Sequence, residues 1–170
     1  VFNNDKRIAT VEISKGKNII HMDVGEPGFN TPKHIIKYAK TIIEKEKIGY
    51  TESIGIPELR DKISTHYNYW YGQEVKSNCV AVTAGASGAF VLALLALFDP
   101  GDKVAIMTPY YPAYVNALKA LNLDIVYLEG ENKSSYQPTL QKLENIKDNI
   151  KGLVIASPAN PTGSTLKNDT

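Results

Sequence analysis

The stretch Thr83–Asp99, TAGASGAFVLALLALFD, decides how this chain is read. It follows a short β-like run, Cys79 to Val82, and carries Gly85 and Gly88 around Ala86 and Ser87. An almost unbroken apolar run from Ala89 to Phe98 comes next, closed by Asp99-Pro100-Gly101. A strand that ends in a small-residue turn and opens a helix leaves backbone N–H groups without intrahelical partners. Those groups carry the positive end of the helix dipole, so the turn suits a phosphate at Ala86 and Ser87. Small side chains let the backbone itself approach the anion. The apolar run is shorter than the roughly 20 residues a bilayer span needs, so it reads as a helix buried against a sheet.

Outward from this stretch, the pattern is strand, loop, helix. Lys103 to Met107 (KVAIM) reads as a buried strand, followed by the loop TPYYP and a helix through Tyr114, Leu118 and Leu121. Asp124 to Leu128 reads as a further strand, and Pro138 to Ile146 as a short amphipathic helix. Gly152 to Ala156 (GLVIA) is a fourth strand, ending in SPANPTG. Alternating strands and helices predict an α/β fold, a mainly parallel sheet with helices on both faces. Ligands of such sheets bind beyond the carboxyl ends of the strands. The loops TAGASG, TPYYP and SPANPTG are therefore expected to converge on one crevice.

Before the sheet, Thr31-Pro32 reads as a helix start, Thr31 as N-cap and Pro32 at the first position, and Ile35, Ile36, Ala39, Ile42 and Ile43 fall on one face at helical spacing. Pro57 opens another helix, through Leu59, Ile63 and Tyr67, that stops near Gly72. Val1 to Met22 shows weak patterning, with Ile8, Val11, Ile13, Ile19 and Ile20 around Gly16. A boundary is expected near Lys47, between an N-terminal arm region (1–46) and the α/β part (47–170).

Composition bounds the function classes. The chain has 170 residues, 43% of them hydrophobic, enough for one domain with a real core. A formal net charge of +1 gives no reason to expect nucleic acid or an acidic membrane as partner. The single cysteine, Cys79, excludes an internal disulfide and fits a reducing compartment. With no basic-then-apolar leader visible, a cytoplasmic location is expected. Cys79 is expected to pack in its strand, and the scattered histidines lack metal-ligand spacing.

Several readings of the turn compete. It has neither G-x-G-x-x-G nor G-x-x-x-x-G-K-[ST], and a nucleophile elbow would need glycine where Ala89 stands. His21, His34 and His66 all precede Ser87, which speaks against a serine hydrolase unless a histidine lies beyond Thr170. A phosphate cradle and a tight turn without ligand both stay open. Of Tyr110 and Tyr111, one is expected to fill a packing gap and the other to offer a flat face to a planar ligand. Asn160, held between Ala159 and Pro161, is a stiffly mounted amide suited to a ligand oxygen, or simply part of a turn.

Five motifs in order, GEPGFNTP (25–32), IGYTESIGIPELR (48–60), TAGASGA (83–89), PYYPAY (109–114) and ASPANPTG (156–163), resemble the class I/II aminotransferases. This is the aspartate-aminotransferase-like branch of fold-type I enzymes that use pyridoxal 5′-phosphate. The resemblance implies that 47–170 is the N-terminal part of the cofactor-binding large domain and 1–46 an arm with a small-domain segment. It implies that the amides of Ala86 and Ser87 hold the cofactor phosphate, that Tyr111 stacks on the pyridine ring, and that Asn160 donates to its phenolic oxygen. It further implies that Gly25 lies near the substrate carboxylate. Tyr50 would reach the phosphate of a neighbouring subunit, hence a homodimer.

The implied reaction moves an amino group between an amino acid and a 2-oxo acid. The alternatives are a carbon–sulfur β-lyase of the same fold, and a non-catalytic aminotransferase-like regulatory domain, for which Val1 to Asp23 is too short to supply a winged helix. The lysine that forms the imine, the aspartate on the ring nitrogen and the carboxylate-binding arginine all follow Asn-Pro-Thr-Gly in this family. Residues 1–170 alone are accordingly expected not to transaminate. Lys167 lies too near the motif to match the lysine. Ser157 stands where relatives often carry asparagine.

Overall fold

The computed structural model describes residues 14–16, 18, 20, 25, 28–46, 48–131 and 136–166. Most of the weak pattern in Val1 to Met22, and Lys167, lie outside them. The chain divides into two compact units, Val1–Tyr50 and Thr51–Thr170. In the first, α1 (Lys33–Lys45) follows Pro32, which takes the N-cap place expected for Thr31. The Pro32 carbonyl accepts from the amides of Ile35 and Ile36, so the first turn closes on proline and threonine is left one residue outside. Ile35, Ile36 and Ile43 on the apolar stripe are exposed, and Ile42 is half-buried.

The second unit is built on a parallel sheet. β1 (Lys103–Thr108) lies between β2 (Asp124–Glu129) and β3 (Gly152–Val154), in the order β2-β1-β3. Ala105 pairs with Val126 on one side and Leu153 on the other. A central strand covered on both faces needs apolar residues at every position rather than at alternate ones. KVAIM supplies them: Val104, Ala105 and Ile106 are at most 2% exposed.

Alternate residues of β1 then feed separate cores, as a period of two requires. Val104 packs with Leu94, Leu118 and Leu123, beneath the helices α3 (Gly85–Leu97) and α4 (Pro112–Ala120). Ala105 and Met107 pack with Leu128 on the other face, against Leu143 of α5 (Leu140–Glu144) and Ile146 and Ile150 beyond it. The fold is therefore α/β with helices on both faces, as the alternation predicts. Among the described residues no helix is long and apolar enough to cross a membrane.

Helix α2 (Pro57–Tyr71) begins at its proline and ends on Gly72, whose φ of 62° gives the left-handed turn that releases the chain. Thr139 caps α5, its hydroxyl accepting from the Lys142 amide at 3.4 Å.

Two expectations fail here. Cys79 to Val82 is not a strand: Ser77–Cys79 form a 3-10 turn, and Val80 to Thr83 runs on outside any ladder. A strand needs a partner edge, and among the described residues β2, β1 and β3 pair only with one another. The Val82 amide instead donates to the Ile54 carbonyl at 2.9 Å. Cys79 is exposed, not packed in a strand.

Helix α3 is also less covered than its composition implies. Leu94 is buried and Phe90 and Val91 half-buried, but Leu92, Leu95 and Leu97 are 56%, 59% and 71% exposed. An all-apolar helix thus buries one face within this chain and presents the other.

Candidate active site

Because β1 and β3 are parallel neighbours, with Ile106 beside Val154, the loops that leave their carboxyl ends emerge on the same side. The first is Pro109-Tyr110-Tyr111 and the second Ser157 to Gly163. They meet at a cavity of about 20 Å³ whose lining includes Tyr110, Tyr114, Gln137, Ala159 and Asn160. That is room for about one water molecule, so it is a joint between loops and not a receptacle for a ring.

The Asn160 loop is closed on itself. The Gly163 amide donates to the Ala159 carbonyl and the Ala159 amide to the Ser164 carbonyl, each at 2.7 Å. Gln137, 5% exposed, fastens this ring to the body of the unit: its Nε2 donates to the Ser164 carbonyl at 2.9 Å and lies 3.0 Å from the Ser164 hydroxyl. A buried amide needs such partners, and here they hold the loop. Asn160 itself is exposed, and its side chain makes no hydrogen bond among the described residues.

The two tyrosines divide the roles between them. Tyr110 is the packed one, stacked on Tyr127 at 5.8 Å with the rings 26° apart. A hydrogen bond between the two hydroxyls favours the neutral phenol and holds Tyr110 above the ordinary tyrosine range, with desolvation acting the same way. Tyr111 is the N-cap residue of α4, 37% exposed, and stands edge-on to Tyr114 at 5.5 Å.

Ala86 and Ser87 occupy the first turn of α3, and both are exposed. The chain enters that turn through Gly85 at φ 79°, a left-handed conformation that favours glycine. The Gly85 amide turns back to the Thr83 carbonyl, and the Thr83 hydroxyl donates to the Gly85 carbonyl, each at 2.8 Å. No side chain caps the helix, and among the described residues the exposed first-turn amides of Ala86 and Ser87 have no acceptor. Phe90, one turn past Ser87, meets Tyr114, one turn past Tyr111, at 5.1 Å. This contact sets the start of α3 beside the start of α4. Ala86, Ser87, Tyr111 and Asn160 thereby lie on the carboxyl-end side of one sheet.

Gly25 and Tyr50 belong to the N-terminal unit. Tyr50 is wholly exposed, and a Cβ added at Gly25 would meet open space. Gln137 and Arg60 carry structural roles that residue-by-residue reading missed. A glutamine in a polar loop has no pattern that announces burial. Arg60, in PELR, has the pattern of a solvated helix-surface residue.

Comparison with known proteins gives the family. Residues 17–170 match the family "Aminotransferase class I and II". The chain is 39% identical over 149 residues to the valine–pyruvate aminotransferase of Mycobacterium tuberculosis, covering 88% of this chain and 38% of that protein. It is 33% identical over 152 residues to the aspartate aminotransferase of Thermotoga maritima, covering 89% and 40%. A crystal structure of an aminotransferase from Mycobacterium tuberculosis superposes with a TM-score of 0.91 at 36% identity, over 99% of this chain and 44% of that one. The aspartate aminotransferase of Thermus thermophilus with maleate gives 0.90 at 27% identity, over 99% and 44%. The chain thus spans about two-fifths of the length of these relatives. With a family match over nearly all of its residues and the same fold, it belongs to the class I and II aminotransferases.

Proposed function

We propose that this chain supplies part of the active site of a pyridoxal 5′-phosphate-dependent aminotransferase acting on an amino acid and a 2-oxo acid. The observation that carries the reading is the pairing of free donors on one side of the sheet. These are the exposed first-turn amides of Ala86 and Ser87 and the unpartnered amide of Asn160, with the exposed ring of Tyr111 on the same side.

This donor set fits the cofactor. Two amides at a helix start suit a phosphate, an aromatic ring suits a pyridine, and a neutral amide suits a phenolate oxygen. When bound, the cofactor supplies an electron sink for negative charge developing at the α-carbon of the amino acid. The residues of this chain bind and orient it. Ala86 and Ser87 fix the anionic end, Tyr111 limits the tilt of the ring, and Asn160 donates a hydrogen bond that favours the ionised phenol. Holding the ring still at three places keeps the substrate's α-bond at a constant angle to it, which is an entropic contribution to rate. Gly25 offers backbone to the substrate carboxylate. Tyr50 serves a second subunit in a homodimer.

The test is amino transfer by the intact protein that carries this chain, with pyridoxal 5′-phosphate, a panel of amino acids including valine and aspartate, and a 2-oxo acid acceptor. Conversion of the 2-oxo acid to its amino acid is the expected result. Release of pyruvate and ammonia without transfer, or inertness across the panel, would overturn the assignment. An Asn160→Ala variant is expected to lower kcat by roughly tenfold to a hundredfold, the range for losing one preorganised donor.

A further inference from the structure

Arg60 lies on α2; its side chain is only 12% exposed and all three of its guanidinium nitrogens are engaged. Nε donates to the Gly55 carbonyl at 3.0 Å, one terminal nitrogen to the Ser77 carbonyl at 3.4 Å, and the other to the Glu52 carboxylate at 2.8 Å. These acceptors sit on separate segments: the loop ahead of α2 and the 3-10 turn beyond it. Ser64, one turn further along α2, donates to the Val75 carbonyl and ties down the same segment.

What this staple holds is the approach to the phosphate turn. Gly55 is at φ 97°, and a Cβ placed there would stand 2.7 Å from the Val82 side chain. The loop backbone therefore lies flush against Val82, and the Val82 amide completes the contact by donating to Ile54 at 2.9 Å. Val82 leads directly through Thr83 into Gly85 and the first turn of α3. Among the described residues 80–83 belongs to no sheet ladder, and the loop held by Arg60 supplies its backbone partner, the Ile54 carbonyl.

We propose that Arg60 is a positioning residue for the phosphate-binding turn. By fixing the 52–55 loop against Val82, it sets the direction in which the Ala86 and Ser87 amides point. This rests on the reading of that turn given under the proposed function. The planar fork of arginine matters, because it reaches acceptors on two segments at fixed angles, which a lysine ammonium cannot do. Glu52 is the adjustable arm: it is 55% exposed and pairs only with the outer nitrogen of the fork.

The test compares two ligands that lack an aldehyde and so cannot condense with lysines, pyridoxine 5′-phosphate and pyridoxine. Binding of each to the intact apoprotein is measured by calorimetry, beside thermal unfolding. The unaltered protein is expected to prefer the phosphate ester strongly. Arg60→Lys is expected to lose about tenfold of that preference, the equivalent of one charge-assisted hydrogen bond, while its affinity for pyridoxine holds. Glu52→Gln is expected to lose about twofold to threefold, in line with an exposed pair.

A folded Arg60→Lys with lowered melting temperature and unchanged preference would make the residue a structural brace only and overturn the proposal. If Arg60→Lys does not fold, Glu52→Gln decides, and an unchanged preference there overturns it. Absence of any preference in the unaltered protein would instead bring down the phosphate reading itself.

Discussion

The turn carrying Ala86 and Ser87 and the loop carrying Asn160 lie on the same side of one sheet, but they are held by opposite means. The first is braced from its flank: Arg60 grips a loop that in turn presses on Val82, and part of that grip, through Glu52, is open to solvent. The second is pinned from within, by the buried amide of Gln137 on a ring of backbone hydrogen bonds. A brace through an exposed carboxylate is weakened by water and salt. A buried amide has no such competitor, so losing it leaves polar groups stranded. The flank is the adjustable side of the site and the inner loop the rigid one.

That contrast can be tested by substitutions of decreasing severity. Both sides depend on the sheet, so removing its support should damage them equally. Leu118→Ala, on the fully buried face of α4, is expected to cost about 2–5 kcal/mol in chemical denaturation. A loss confined to one side of the site would show that the two do not share a foundation. Gln137→Leu keeps volume but removes both hydrogen bonds to Ser164, and about 1–3 kcal/mol is expected. Glu52→Gln should cost less than about 1 kcal/mol. The double variant of Gln137→Leu and Glu52→Gln should be additive within about 0.5 kcal/mol. A larger coupling would mean that brace and pin are one network.

The smallest effect is expected at the other end of the sheet and serves as a control. Asp102, just before β1, pairs with Lys151, just before β3, at 2.6 Å. The hydrogen bond from Lys151 holds the Asp102 carboxyl below its usual range, helped by the Asp99 amide, and raises the Lys151 ammonium in return. A carboxyl lowered on folding adds stability above its unfolded pKa of about 3.9, lost as pH falls through its folded value. An ammonium raised on folding adds stability below about 10.4, lost as pH rises through its folded value. Asp102→Asn should therefore flatten the stability profile at both extremes and leave ligand preference untouched. A change in preference would show that the amino ends of the strands reach the site.

The outward side of α3 gives the contrast a wider frame. Leu92, Leu95 and Leu97 are exposed on a helix that is apolar on every side. Helices of that composition are covered all round in folded proteins.

Much of the architecture was legible because it is local. KVAIM is a strand buried on both faces by the density of its apolar residues alone. Pro57 and Gly72 mark the ends of α2 through fixed backbone angles, and loops rich in glycine, proline and asparagine fall at strand ends. The motif order also named the family, since five spaced segments carry more information than any one.

What the residues could not announce was set by contacts between segments distant in sequence. Cys79 to Val82 has strand composition but no partner edge, and pairing is a property of two chains, not one. Tyr110 and Tyr111 are the same residue type, and only the position of Tyr127 makes the first a packed ring. Gln137 and Arg60 look like solvated polar residues until the fold brings Ser164 to one, and Gly55 and Ser77 to the other. Local sequence fixes which backbone conformations are cheap, whereas burial and hydrogen-bond partners are decided when segments far apart in the chain compete for the same space.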